Sequence, residues 1–426
     1  MAKKKEEIKT NNDVFDSLDK MIQSQFEDEV LDLSKEDTKV KTWYDSGVYA
    51  LNYTVSKNLM HGYPSGRITS LSGLSGTGKS LMAAVGMRDP SIDMVIILET
   101  EGGGHADELI EFAGVDRKKV RILKANTFSN YRINKKNNDI EEITDNKFPK
   151  TKDTDQYLYK EGATRQLKRL VQALEFNPKM REAKIYIVLD SLGNLQSVRE
   201  LSGTSDMGKR ATEIGNFFRT FDVAFEKSNI AFVFTNKLYT NLGNPYDPWK
   251  ETGGENAIYN PSVSVRFTET SITDDVSDKD MKEEKERRKT SLGSSLKTIR
   301  ATVTKSRFGT EGRNAWFLLD FSVGPVRLSG LFTLLKDFGI IQGNRTYTIS
   351  GWNDDKSFYK KDFINLVMEK EEENIKIFQE LLEKREEEMK EERRNLQAND
   401  LTEVEETSED ENEFGDMLKA MERESD

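Results

Sequence analysis

The stretch Gly73-Leu-Ser-Gly-Thr-Gly-Lys79-Ser80 decides the fold class of this chain, because it matches the phosphate-binding pattern G-x-x-x-x-G-K-[ST]. The preceding run Arg67-Ile-Thr-Ser-Leu-Ser72 predicts a strand, and the following run Leu81-Met-Ala-Ala-Val-Gly86 predicts a helix. In this setting backbone N–H groups surround a phosphate, Lys79 reaches the β- and γ-phosphates, and the Ser80 hydroxyl binds Mg²⁺. The sequence therefore predicts a site for ATP and Mg²⁺, with nucleotide-binding residues Gly73, Ser75, Gly76, Thr77, Gly78, Lys79 and Ser80.

Three short apolar runs further along the chain predict strands, at residues 94–98, 184–189 and 230–234. Runs of this length are typical of strands buried on both faces of a parallel sheet. Helical segments are predicted between them, near 107–114, 163–176 and 211–227. This alternation predicts an α/β fold with a mostly parallel central sheet flanked by helices. Antiparallel hairpins that extend this sheet are predicted at 262–270, 295–304 and 315–323.

Composition divides the chain into regions. Apolar residues spaced by three and four predict a helical N-terminal segment at 1–36, and similar spacing predicts a helix at 43–58. We expect the main domain at 37–340, a small C-terminal region ending in a charged helix at 341–398, and an acidic disordered tail at 399–426. Two highly charged insertions, predicted to be solvated loops or short exposed helices, lie at 134–154 and 274–290.

The absence of cysteine excludes disulfides and thiolate metal sites, and a chain with only His61 and His105 excludes a histidine-rich zinc site. We expect a cytoplasmic protein without a membrane partner. No apolar run approaches the roughly 20 residues that span a bilayer, and the first residues lack the apolar core of a signal peptide.

Charge is distributed unevenly along the chain. Residues 369–426 hold 23 acids and 9 bases, a net charge of −14, so the other residues carry +3 of the total of −11. A weakly basic body beside an acidic tail is typical of a body that meets nucleic acid. A tail that only improves solubility explains the same pattern, and the sequence leaves both explanations open.

Carboxylates follow two of the predicted strands. Asp190 ends the run at 184–189, which is where the acid on the Mg²⁺ side of such a site lies, although an aspartate there could also cap the next helix. Glu99 and Glu101 end the run at 94–98, and either could activate the attacking water. The motif alone does not choose between them.

Several segments, taken in order, resemble the ATPase core of RecA-type recombinases over roughly residues 40–340. The resemblance rests on the phosphate loop and on Tyr49-Ala-Leu-Asn52, Tyr63-Pro-Ser-Gly-Arg-Ile-Thr69 and Asp190-Ser-Leu-Gly-Asn-Leu195. Within this family the chain is most similar to the recombinases of T-even-type bacteriophages, on the segments Ser205-Asp-Met207, Thr304-Lys-Ser-Arg307, Ser329-Gly-Leu331 and Asn412-Glu-Phe-Gly-Asp416.

This resemblance implies catalytic roles by position. Glu101 matches the water-activating glutamate of the family, while Glu99 stands where the family usually has aspartate. Asn236 precedes the side chain that senses the γ-phosphate, and that next residue is Lys237 in place of the usual glutamine or histidine. Lys305 and Arg307 match two basic residues that reach the nucleotide of a neighbouring subunit, a role like that of an arginine finger. Without the resemblance, both are interpreted as surface charges at a strand end.

Two long loops, about 196–209 and 237–261, correspond to DNA-binding loops of the family. Backbone N–H groups, lysines and arginines neutralise phosphates there and aromatic rings stack on bases, without reading sequence. Ordinary polar surface loops are the alternative interpretation. The predicted DNA-contacting residues are Arg199, Lys209, Arg210, Tyr239, Trp249, Lys250, Gly253, Gly254 and Asn256.

The resemblance implies a DNA-dependent ATPase that forms a helical filament on single-stranded DNA and exchanges strands with duplex DNA. Its N-terminal segment would pack on the adjacent subunit, since a head-to-tail contact that does not close gives a filament. A single-strand-binding protein and a recombination mediator are implied partners. Two alternatives remain, namely a ring-forming replicative helicase with the same core and a non-hydrolysing, ATP-gated scaffold on DNA.

Overall fold

The computed structural model describes residues 21, 40–100, 102, 104–177, 182–204, 207–226, 228–240, 249–270 and 296–396. The predicted N-terminal segment at 1–36 (apart from Met21), the insertion at 274–290 and the tail at 399–426 lie outside the described residues. The boundaries of the four predicted regions therefore stay predictions.

Strands make up the centre of the molecule. In chain order they are β1 (Trp43–Tyr44), β2 (Tyr63–Pro64), β3 (Arg67–Gly73), β4 (Met94–Glu99), β5 (Val120–Lys124), β6 (Tyr131–Asn134), β7 (Ile140–Glu142), β8 (Tyr157–Lys160), β9 (Ile185–Asp190), β10 (Ile230–Thr240), β11 (Trp249–Glu251), β12 (Val263–Glu269), β13 (Leu296–Ser306), β14 (Asn314–Asp320), β15 (Gly324–Pro325), β16 (Gln342–Gly343) and β17 (Tyr347–Thr348). The three apolar runs predicted as buried strands are β4, β9 and β10, so this prediction is confirmed.

Helices connect these strands. In the described residues they are α1 (Tyr49–Ser56), α2 (Lys79–Val85), α3 (His105–Ala113), α4 (Ala163–Glu175), α5 (Val198–Leu201), α6 (Met207–Glu226), α7 (Gly254–Tyr259), α8 (Leu331–Asp337), α9 (Lys360–Glu369) and α10 (371–396). The predicted helices near 107–114, 163–176 and 211–227 are confirmed as α3, α4 and α6. A search of the described residues finds no helix with the length and apolarity needed to cross a membrane.

One large mixed sheet runs in the order β15-β14-β13-β12-β3-β10-β9-β4-β5. Neighbouring strands are parallel from β12 to β5 and antiparallel from β12 to β15. The predicted α/β class with a mostly parallel sheet is thus confirmed. The predicted antiparallel hairpins are confirmed in β12, β13 and β14, and β12 also pairs in parallel with β3. This second pairing joins the hairpins to the parallel sheet.

Both faces of the sheet are covered by helices. Along β9, Ile185, Ile187 and Leu189 belong to the hydrophobic cluster that includes α4 and α6, while Tyr186 and Val188 belong to the cluster that includes α1, α2 and α3. This alternation follows from the two-residue period of a strand. Since both faces are apolar, the strand reads as a continuous apolar run.

The N-terminal part of the described chain departs from the predicted helix at 43–58. Residues Trp43–Tyr44 form β1, and the helix begins only at Tyr49. A turn separates them, in which Gly47 has a φ of +82° and donates its N–H to Asp45 Oδ1 over 2.8 Å. A glycine in the left-handed conformation does not continue a helix. The helical spacing of apolar residues across 43–58 therefore predicted a helix that begins too early.

The first charged insertion also differs from the prediction. The short helical turn Asp145–Lys147 agrees with it, but β7 lies inside the segment 134–154 and pairs with β6, which also pairs with β8. Ring contacts support this small antiparallel sheet, since the Arg132 guanidinium lies 4.2 Å from the Tyr157 ring centroid and the centroids of Phe148 and Tyr159 are 6.2 Å apart. A few aromatic residues therefore stabilise a three-stranded sheet that the charged composition of this segment did not indicate.

The predicted charged helix near the C-terminal end is confirmed as α10. Its apolar stripe, Ile375, Phe378 and Leu382, is buried in the same cluster as α1. At the far end of the stripe the Tyr53 hydroxyl donates to Glu386 Oε1 over 2.8 Å, and Arg313 forms an ion pair with the same carboxylate at 2.6 Å. Because of these contacts, α10 packs against the sheet-bearing part of the chain.

The burial of His61 against Trp43 can be tested by its effect on stability at different pH values. Its ring stacks on Trp43 with centroids 5.5 Å apart, and burial lowers the pKa of His61. The unfolded chain therefore binds this proton more readily, so the free energy of unfolding should fall as the pH drops below about 6.5. We expect His61→Phe to reduce this loss in urea unfolding between pH 7.5 and 5.5, by at most about 1.4 kcal/mol per pH unit. An unchanged pH dependence in the variant would contradict the assignment.

Candidate functional site

The phosphate loop lies between β3 and α2. It turns through Gly76 and Gly78, whose φ angles of +73° and +81° favour glycine. The Thr77 hydroxyl and the Lys79 ammonium both donate to the carbonyl oxygen of Leu74, over 2.9 Å and 2.8 Å. The predicted nucleotide-binding residues 73–80 thus form one closed turn leading into the helix.

Two of the loop glycines have no room for a side chain. A Cβ on Gly73 would lie 2.5 Å from Thr77 Oγ1 and 2.8 Å from the Phe267 carbonyl oxygen, and a Cβ on Gly78 would overlap Leu319 Cδ2. Phe267 belongs to β12 and Leu319 to β14, so strands of the sheet extension pack against the loop. A loop with this backbone and these glycines fits a bound phosphate.

The Asp190 carboxylate is the centre of the site. It is 4% exposed, accepts a hydrogen bond from the Thr235 hydroxyl at Oδ1, and lies 2.8 Å from His105 Nε2 at Oδ2. Burial raises the pKa of Asp190, but the hydrogen bonds from His105 and Thr235, together with a smaller contribution from the nearby Ser80 of the phosphate loop, outweigh burial and hold its pKa below the usual range. The structure therefore brings together the predicted Mg²⁺ residues Ser80 and Asp190.

His105 is a site residue that the sequence reasoning missed. It begins α3, directly after Gly104, whose φ is +89°. The signal available was that one of only two histidines follows the glycine run after β4, at the same edge as the phosphate loop. Thr235, one residue before Asn236, was also missed. Both donors come from elements far from Asp190 in sequence.

Glu99 lies beside Asp190. The two residues are partners in the β4–β9 register, and Glu99 is buried with its Oε2 atom 3.6 Å from Lys124 Nζ. The Thr100 hydroxyl, which donates to the carbonyl oxygen of Asp190 over 2.9 Å, joins the two strand ends. Glu101 lies outside the described residues, so the structure describes one of the two candidate bases.

The residues present fit a magnesium ion held together with a nucleotide. No group of three or more histidine and acidic side chains in the described segments could hold a metal by itself. Mg²⁺ in nucleotide sites commonly takes one or two protein ligands, phosphate oxygens and water. Ser80 and Asp190 would be the protein ligands of such an ion. Nearby, Glu99 Oε1 and Ser191 Oγ are buried without a hydrogen-bond partner in the described part of the chain, which suits bound water.

Asn236 and Lys237 lie at the end of β10 nearest the phosphate loop, with Lys237 opposite Gly73 in the register. The Asn236 side chain is fully buried and donates to the Thr252 carbonyl oxygen over 2.8 Å. It therefore anchors the second predicted DNA loop. The exposed Lys237 ammonium donates to Asn194 Oδ1 over 2.8 Å, in the turn that follows Asp190.

Lys305 and Arg307 lie away from the phosphate loop of their own chain. Lys305 is opposite Ser264, and the Lys305 ammonium donates to the Ile258 carbonyl oxygen over 3.2 Å. The Arg307 N–H donates to Ser262, which is hydrogen-bonded to Ile68. Five residues of strand, about 16 Å, separate the level of Ile68 from Gly73. Arg307 therefore lies at the opposite end of β3 from the phosphate loop of its own chain.

The first predicted DNA loop has its basic residues in different states. Arg199 is exposed on α5. The Lys209 ammonium lies 3.3 Å from Glu142 Oε2 and 3.9 Å from Glu213 Oε1. Arg210 donates to the Gly193 carbonyl oxygen over 2.6 Å and lies 3.6 Å from Glu200. Lys209 and Arg210 thus hold α6 against the insertion sheet and against the turn after Asp190.

In the second predicted DNA loop, 237–261, the structure describes residues 237–240 and 249–261, and residues 241–248 lie outside it. Tyr239, which is 49% exposed, pairs with Lys250, and Thr240 pairs with Trp249. Gly253 and Gly254 have φ angles of +102° and +65° and lead into α7. Asn256 belongs to α7, where only its backbone is described. Tyr239 and Lys250 therefore share one face of this hairpin, and Trp249 lies on the other face.

The close packing of Gly78 can be tested directly. Gly78→Ala should lower stability by left-handed strain and by overlap with Leu319. Gly102→Ala, at a φ of +73° with no atom of a non-adjacent described residue within 4 Å of the added Cβ, should show the strain alone. We expect Gly78→Ala to cost about 2 kcal/mol more than Gly102→Ala. Thermal unfolding of both variants, and of Gly78→Ala combined with Leu319→Ala, measures this. Equal midpoints for the two single variants would contradict the packing argument.

The chain was compared with protein families and with curated proteins. No family model matches the chain, and no curated protein matches it either.

Proposed function

We propose that this protein is a DNA-dependent ATPase with a RecA-type core, which forms a helical filament on single-stranded DNA and catalyses homologous pairing and strand exchange. The observation that carries the ATPase part is the placement of the phosphate loop, with Ser80 at the start of α2, close to the buried Asp190 carboxylate at the end of β9, whose pKa Ser80 lowers. This arrangement supports binding of ATP with Mg²⁺. The recombinase part rests on the ordered sequence resemblance.

In this proposal each residue around the loop has a separate task. Lys79 leaves the Leu74 carbonyl to contact the β- and γ-phosphates, and Ser80 and Asp190 hold Mg²⁺, which neutralises developing charge on the phosphates. Glu101 activates water. His105 and Thr235 fix the orientation of the Asp190 carboxylate through their hydrogen bonds. Such fixed donors and acceptors are the usual source of rate acceleration in phosphoryl transfer.

Contacts of the turn Leu192–Asn194 support coupling between DNA and ATP. Arg210, in α6 just after the first predicted DNA loop, donates to Gly193, and Lys237, at the base of the second, donates to Asn194. Residues beside both loops therefore touch the turn that directly follows Asp190. A change of either loop on DNA would be transmitted to the acid that holds Mg²⁺. This gives Lys237 a role that does not need the planar amide of the usual glutamine.

The proposed partners follow from the same core. Single-stranded and duplex DNA bind the two loops, copies of the chain assemble through the N-terminal segment, and a single-strand-binding protein and a mediator assist loading. The distance of Lys305 and Arg307 from their own phosphate loop supports a subunit interface at the nucleotide. We propose a cytoplasmic location, in the host if the protein is viral.

Hydrolysis tests the catalytic assignment. We expect ATP hydrolysis to be stimulated by single-stranded DNA and to fall by about 10²- to 10⁴-fold in Glu101→Gln, because a positioned base contributes that much. Glu99→Gln is the matched control and should retain more activity. ADP release is measured with and without DNA. Nucleotide-dependent DNA binding without any hydrolysis would favour the scaffold, and polarity-dependent unwinding of a duplex would favour the helicase.

Mixed subunits test the interface. Lys79→Ala alone and Lys305→Ala/Arg307→Ala alone should each abolish DNA-stimulated hydrolysis. A mixture should regain part of it, because an intact phosphate loop can then meet intact basic residues on a neighbour. Strict additivity of the two inactive proteins over a range of mixing ratios would argue against action between subunits. Lys336→Ala, in α8, serves as a control for loss of a surface lysine.

A further inference from the structure

Lys297 contacts the phosphate loop from the sheet extension. It is the second residue of β13, and its ammonium donates to the Gly76 carbonyl oxygen over 3.1 Å. The same ammonium forms an ion pair with Glu269 Oε2 at 2.8 Å, and it lies 5.5 Å from the centroid of the Phe321 ring. Glu269 is the last residue of β12. The ends of two strands are thus joined to the tip of the loop.

Gly76 differs from the other loop glycines in what surrounds it. A Cβ on Gly73 or Gly78 would meet several atoms, whereas a Cβ on Gly76 would have, among the described residues, only Lys297 Nζ within 4 Å, at 3.5 Å. Steric packing therefore does not restrain Gly76, although its φ of +73° belongs to a residue with wide conformational freedom. The hydrogen bond from Lys297 is the contact that restrains it.

Fixing the Gly76 carbonyl also fixes the next N–H group. The carbonyl of Gly76 and the N–H of Thr77 belong to one planar trans peptide, so they point in opposite directions. A carbonyl directed at Lys297 directs the Thr77 N–H away from Lys297. The pattern of the loop requires its N–H groups to point at a phosphate.

The ion pair with Glu269 indicates positioning more than charge donation. A carboxylate at 2.8 Å offsets most of the field of the ammonium at longer range. It also limits the side-chain freedom of Lys297, which a lone exposed lysine would keep. Glu269 therefore holds Lys297, and Lys297 holds the loop.

We propose that Lys297 is a positioning residue that orients the Gly76–Thr77 peptide of the phosphate loop for binding the β-phosphate of a nucleoside di- or triphosphate. This inference rests on the proposed nucleotide binding. It gives the sheet extension a task in the site, since the loop is held by residues more than 200 positions away in sequence.

The test compares Lys297→Met, Lys297→Arg and Glu269→Gln with Arg300→Met. Arg300 lies on the same strand and contacts Asn314 and Trp316, away from the loop. Dissociation constants for Mg-ADP and for a non-hydrolysable Mg-ATP analogue are measured with a fluorescent nucleotide in competition. Hydrogen exchange of the peptide covering residues 74–78 is measured without nucleotide.

Lys297→Met should weaken ADP and the ATP analogue alike, by about 5- to 10-fold, as expected for loss of a partly exposed charge-assisted hydrogen bond. Exchange at 74–78 should rise in this variant while other peptides stay unchanged. Lys297→Arg should bind within about 2-fold of the unmodified protein, Glu269→Gln should fall between the two, and Arg300→Met should have no effect.

Unchanged binding in Lys297→Met overturns the inference, and so does weakening confined to the ATP analogue, which would mean a direct γ-phosphate contact. Faster exchange throughout the protein also overturns it, because the role would then be general stability. If the unmodified protein binds no nucleotide, the proposed function fails. Exchange at 74–78 then decides the inference alone, and equal exchange in Lys297→Met and Arg300→Met refutes it.

Discussion

The rest of the site depends on the hydrogen bonds that the buried Asp190 carboxylate accepts. Burying an ionised carboxylate without partners costs several kcal/mol, so the fold must supply donors to it. Thr235 from β10 and His105 from α3 form hydrogen bonds to it, and the nearby Ser80 from α2 also lowers its pKa. Because these hydrogen bonds outweigh burial, the carboxylate keeps a lowered pKa and stays ionised at neutral pH. The two hydrogen bonds fix β10 and α3 relative to β9.

The parallel register makes this convergence possible. In a parallel sheet all strands end at one edge, so Gly73, Glu99, Asp190 and Lys237 meet although they are scattered through the sequence. The antiparallel extension then encloses the loop from its other side, through Phe267, Leu319 and Lys297. Since β12 joins both parts of the sheet, the extension is tied to the same register. The loop is therefore held by both parts of the sheet.

The sequence predicted those features that are written in short segments. The turn of the phosphate loop, the position of Asp190 at a strand end and the strands β4, β9 and β10 could be predicted because each has a local pattern, a glycine spacing or a continuous apolar run. His105 and Lys297 could not, because their contacts span 85 and 221 positions and leave no periodic signal. The turn before α1 and the small β6–β8 sheet were missed for a related reason. Gly47 in a left-handed conformation ends the predicted helix before α1, and a few ring contacts stabilise the small sheet in a segment whose composition is mostly charged.

The ion pairs of the first predicted DNA loop bear on how DNA could act on the nucleotide site. Lys209 and Arg210 are paired with acids of their own chain, at separations typical of partly exposed pairs worth about 1 kcal/mol or less. A DNA strand offers several phosphates at once, and its binding releases counterions, so it can displace such pairs at little cost. Arg210 also donates to Gly193, three residues after Asp190. Under the proposed function, movement of Arg210 towards DNA removes its hydrogen bond to the turn Leu192–Asn194, which follows Asp190. The contact between Arg210 and Gly193 would then make hydrolysis depend on DNA, with no separate domain needed to relay the signal.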